Sequence, residues 1–204
     1  MNGKEEKFFD LAREFYTGLA AAGAAFENMV SGKVTAEETA AVIHDTKKKC
    51  RGGLGKLWEK MYKAYKNPPE TDYARNFIWK SYEIIDILDE MADRISFGAF
   101  EEQPREFADV AQLIAAALSE MKKIMDYTAD VEGNYMKMEA RSRKVHTYED
   151  RGDELFRDEM RALFTGGRDP VYVMYWKDIV TNGEKVLDTI TGASVLLQKL
   201  LTKY

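Results

Sequence analysis

Cysteine is nearly absent: Cys50 is the one example in 204 residues. That excludes an internal disulfide and leaves too few thiols for a cysteine-based zinc site. Proline is also scarce, at four positions, so long helices can run without interruption. No apolar run approaches the roughly 18 residues that a membrane span needs. Met1-Asn2-Gly3-Lys4-Glu5-Glu6 lacks the apolar stretch of a signal peptide. The expectation is a soluble cytoplasmic protein. Positive charge is not in excess either. The net charge is -5 and the pI about 5.3, which argues against a general nucleic-acid binder while leaving room for a local basic patch. What is plentiful is apolar and charged side chain, 45% and 32%. This suffices for a sizeable core and is too apolar for disorder, so a single domain over 1–204 is expected.

Apolar spacing predicts six helices and no convincing strand. The first covers about 4–31, with Phe8, Leu11, Ala12, Phe15, Tyr16 and Leu19 on one face and Gly32 as its stop. The second opens at Thr35-Ala36-Glu37-Glu38, a capping-box pattern, and runs to about 66. Asn67-Pro68-Pro69 breaks the chain, and the third helix covers about 71–97. The fourth starts near Pro104 and ends near 129. Gly133-Asn134 is a weak break before the fifth, which runs to about 165. Asp169-Pro170 caps the sixth, which runs to about 202. Short connections imply antiparallel neighbours.

The two halves align without gaps at an offset of 102 residues. Pro68 falls on Pro170, Tyr73 on Tyr175, Asp86 on Asp188, and Ile43-His44 on Val145-His146. The fold class expected is therefore all-α, two pseudo-repeated three-helix bundles over about 1–102 and 103–204.

The chemistry concentrates in the second half. Glu149 and Asp153 stand four apart in the fifth helix, and Glu184 and Asp188 stand four apart in the sixth. Such pairs share a helix face. If the two helices pack, four carboxylates converge, repel one another and are relieved by a hard or borderline cation. Read plainly, such a spacing is also common on a solvated helix. His146, three residues before Glu149, is either a ligand, a supporting donor or a half-buried helix histidine. Asp178 is a weaker additional candidate.

In the first half the same register places Lys47, Arg51 and Tyr82 where Glu149, Asp153 and Glu184 stand. Only Asp86 keeps its acid. Segment 44–66 carries eight Lys and Arg against two acids, whereas 146–168 carries four Arg against six acids. A cation cannot bind beside Lys47 and Arg51. One of them is expected to pair with Asp86, or the face is solvated, or it takes an anion or an acidic partner. Gly52, Gly53 and Gly55 lie inside the second helix, where a close helix approach or a kink would explain them. Cys50 adjoins Arg51, which would favour its thiolate; an inert helix cysteine is the plainer reading.

These residues resemble the PhoU-like family, in the phosphate-transport-regulator branch associated with Pit-type phosphate transporters. The likeness spans nearly the whole chain. It begins at Phe8-Phe9-Asp10-Leu11 and continues at Ile43-His44-Asp45-Thr46. It resumes at Glu149 to Asp153, Leu155-Phe156-Arg157 and Ala162-Leu163-Phe164, then at Asp169-Pro170, Trp176-Lys177-Asp178, Glu184 and Asp188. The resemblance implies two three-helix bundles and metal held by the E-x-x-x-D carboxylates. Here that means Glu149, Asp153, Glu184 and Asp188, with Fe, Mn, Zn or Mg as the ion, in the C-terminal half only. Lys47, Arg51 and Tyr82 depart from the pattern, so one metal site is expected at most.

The resemblance further implies a non-enzymatic regulator or accessory of inorganic phosphate uptake, with a Pit-type transporter as partner. A homo-oligomer is a further expectation. Nucleic acid is not expected, and membrane contact is expected only through the partner. Two alternatives stand beside it: a metal-free helical scaffold, and a carboxylate-bridged metalloenzyme. The metalloenzyme lacks the E-x-x-H order of di-iron bundles, because His146 precedes Glu149.

Overall fold

The computed structural model describes residues 1–100 and 102–204. It has six helices: α1 (Gly3–Val30), α2 (Ala36–Ala64), α3 (Pro68–Ser96), α4 (Phe107–Tyr127), α5 (Val131–Thr165) and α6 (Pro170–Leu201). No strand occurs among the described residues.

Local chemistry accounts for most of the boundaries. Asn2 caps α1 by accepting from the Lys4 and Glu5 backbone N–H groups, and Glu5 reaches back to the Asn2 N–H at 2.7 Å. Gly32, at φ +72, reverses the chain after α1, and Lys33 N–H then reaches the Asn28 carbonyl at 2.9 Å. Thr35 caps α2 by accepting from Glu38 N–H at 3.3 Å. The Glu38 carboxylate takes the Thr35 hydroxyl rather than its backbone N–H, so the capping box is only half formed.

Three starts differ from the sequence expectation. Pro68 and Pro69 form the first turn of α3 instead of preceding it, since proline has no N–H to lose there. Pro104 lies in a turn, and α4 begins three residues later, where the buried Glu159 carboxylate accepts from the Glu106 N–H. Gly133 does not break α5 but sits in its first turn. The Asp130 side chain closes over its N–H at 3.1 Å, in space that a Cβ would fill.

Consecutive helices pack side by side, α1 on α2, α2 on α3, α4 on α5 and α5 on α6. Helix α1 also packs along α4, and α3 along α6. One continuous apolar core runs through all six helices, with Phe8, Tyr16, Phe26, Phe77, Phe107 and Leu118 fully enclosed. No helix is long and apolar enough to cross a membrane among the described residues.

Gly52, Gly53 and Gly55 serve no close approach: a Cβ at any of them would meet nothing within 4 Å. Helix α2 runs unbroken through them. The cost of three interior glycines is therefore uncompensated within the chain. Replacing all three by alanine is expected to stabilise the protein by about 2 kcal/mol in urea unfolding. A loss of stability would mean that these positions are packed after all.

Candidate metal centre

Helix α5 presents Val145, Gly152 and Leu155 to the core, and α6 presents Gly183, Val186 and Leu187. Glu149 and Asp153 flank the first ridge, and Glu184 and Asp188 the second. Gly152 decides how near the ridges come. A Cβ there would lie 2.2 Å from Leu187 Cδ1, so the Leu187 side chain rests directly on the α5 backbone. The carboxylates are carried inward with it. One oxygen each of Glu149, Asp153 and Asp188 lie within 4.8 Å of one another.

Little internal positive charge neutralises the cluster. Arg157 reaches Asp153 at only 3.4 Å and is itself exposed. Lys80, whose stem lies across Gly192, partly offsets the charge of Asp188. Burial, then Asp153, Asp150 and Asp188, raise the Glu149 carboxyl above its ordinary value. Glu184 is raised by burial and by Asp188, Asp153 and Glu149. Asp188 is raised by burial and Asp153.

The sequence candidates thus separate. Glu149, Asp153 and Asp188 meet. Glu184 faces them closely enough to feel all three charges but is not in the convergent set. His146, one turn before Glu149, favours the Glu149 charge without a hydrogen bond to the cluster among the described residues. Asp178 lies apart from the convergent acids. It is exposed, it pairs with Arg94 of α3 at 3.1 Å, and it stands ten residues, about 15 Å of helix, from Asp188. Its role is to tie α6 to α3.

The three oxygens suit a hard cation, whose bonds to carboxylate run at about 2.0–2.6 Å. The widest pair would span one such ion. Glu149, Asp153 and Asp188 would hold it, and Glu184 is placed to supply or orient a further oxygen.

The positions at the same register in the first half are chemically opposite. Lys47 Nζ lies 2.7 Å from Asp86 and 2.8 Å from Asp89, and Asp89 also meets His44 Nδ1 at 3.1 Å. Burial disfavours the Lys47 ammonium, but the two carboxylates outweigh it and hold the charge. Lys47 is thus the residue that pairs with Asp86. Arg51 is exposed, with no ion-pair or hydrogen-bond partner among the described residues. Asp89 went unread in the sequence, although it lies one turn from Asp86 on the same face. Cys50 is buried, and burial pushes its thiol up to about 11, so neighbouring Arg51 does not activate it.

The raised carboxyls predict a pH effect. Groups raised on folding hold their protons longer in the folded chain. Their contribution is favourable below ordinary carboxyl values and is lost as pH rises through the raised ones. In chelator, Glu149→Gln/Asp188→Asn is therefore expected to gain stability relative to the parent from about pH 4 to about pH 7. Urea midpoints across that range test it, and a flat or shrinking gap contradicts it.

No protein-family model matches the chain, and no curated protein matches it.

Proposed function

We propose that the protein is a non-enzymatic regulator or accessory of inorganic phosphate uptake, acting by protein contact in the cytoplasm and holding one metal ion in its C-terminal half. The observation that carries this is the meeting of Glu149, Asp153 and Asp188 between α5 and α6, in a chain whose motifs resemble the PhoU-like phosphate-transport regulators. The pairing of helices supports a repeated plan, since α3 begins at Pro68 and α6 at Pro170. On this reading Lys47 replaces the ion of the first repeat with a fixed internal cation. The ion at the second repeat then ties α5 to α6 and sets the shape a partner meets.

A scaffold reading has one observation in its favour. The Lys47, Asp86 and Asp89 network pairs its own charges without a ligand.

The test is co-expression with a Pit-type phosphate transporter, followed by gentle detergent extraction. The transporter is expected to co-purify with the parent protein. Failure with both proteins present in the extract would overturn the transport reading.

A further inference from the structure

Helices α1 and α2 enclose a second feature that the cation site does not use. An open groove of about 470 Å³ runs between them, floored by Leu11, Phe15 and Leu57. Gly18 and Gly53 keep its walls low, and above Gly53 there is open space where a side chain would stand. Along α1 it extends from Leu11 to Ala21, about 15 Å or three helical turns. On the α2 wall Lys49 and Lys56 stand seven residues apart, both exposed, with no ion-pair or hydrogen-bond partner among the described residues. Glu14 stands on the opposite wall.

We propose that the α1–α2 groove is the docking site for an acidic amphipathic helix of a partner protein. The floor takes apolar residues at i, i+3 or i+4, and i+7, as in other helix-in-groove complexes. Lys49 and Lys56 are spaced for two acids seven apart along one edge of that helix. Glu14 repels an acid on the other edge and so fixes its direction. The occupant is a helix because the groove runs three turns along α1, between two helices, and is low-walled. It is acidic because the two cations beside the floor have no carboxylate of their own. This inference rests on the reading of the protein as one that acts by contact. It does not depend on the metal ion or on phosphate transport.

Gly53→Leu provides a test that leaves folding intact, since the new side chain enters open space on a helix that gains propensity. The probe is a fluorescent designed peptide of about 15 residues, with leucines on one face and two glutamates seven apart beside them. Its binding is followed by anisotropy, with a scrambled acidic peptide and a lysine-for-glutamate peptide as controls. The designed peptide is expected to bind best. Its affinity is expected to fall about ten-fold with Gly53→Leu and again with Lys49→Glu/Lys56→Glu. Equal binding of the scrambled peptide, indifference to Gly53→Leu, or no binding overturns the proposal. So does self-association through this face, or binding to phosphatidylglycerol vesicles that the peptide does not displace. Peptide binding that persists where transporter co-purification fails would reject the transport reading and leave the groove standing.

Discussion

Gly152→Val is expected to destabilise the protein by about 2–3 kcal/mol and to abolish cation binding together. The two effects share one cause. A Cβ at 152 would lie 2.2 Å from Leu187 Cδ1, and Leu187 is buried. Either the buried Leu187 side chain is forced out of its packing or helix α5 moves off α6, and both disturb the ridge that carries the carboxylates. The contrast with Gly53 makes the test sharp. Both are helix-interior glycines, yet alanine at Gly53 enters open space and should stabilise. Thermal unfolding of the two variants should therefore move in opposite directions. A Gly152→Val protein as stable as the parent would show that the helices do not meet as described.

Cation addition to the chelator-treated protein carries the second large effect. A ligand that binds only the folded state stabilises it by about 2.7 kcal/mol at a hundred times its dissociation constant. For a chain of this length that corresponds to a rise in Tm of about 5–10 °C. Mn²⁺, Fe²⁺, Zn²⁺ and Mg²⁺ should be compared in turn, because the carboxylate set favours hard and borderline ions without choosing among them. In Glu149→Ala/Asp153→Ala the rise should vanish. The metal-free variant should be no less stable than the metal-free parent, since it has lost mutual repulsion rather than a favourable pair. An equal rise in the variant would assign the effect to scattered surface carboxylates.

The helices and the second-half acids were legible because both follow from short-range periodicity. Phe8 to Leu19 mark a buried face, and Asp169-Pro170 marks a start, without knowledge of any distant residue. The misread boundaries have non-local or side-chain causes. Helix α4 begins after Pro104 because Glu159, 53 residues on, holds the Glu106 N–H. Helix α5 continues through Gly133 because the Asp130 carboxylate fits where a Cβ would be.

The site was legible as a list of acids but not as an arrangement. Glu184 has the right spacing, yet Asp188 is the α6 acid that joins Glu149 and Asp153. Asp178 was a weaker candidate on the same helix, but Arg94, 84 residues earlier, holds it. Arg51 was an equal candidate with Lys47 for the Asp86 partner, but only Lys47 reaches α3. Gly152 was in plain view as an interior glycine; what it admits, the Leu187 side chain, lies on another helix.

The most direct test is the metal content of the protein purified without a nickel column, measured by elemental analysis beside Glu149→Ala/Asp153→Ala. About one ion per chain is expected in the parent and none in the variant. Equal metal in both, or none in the parent even after reconstitution with each of the four ions, would contradict it.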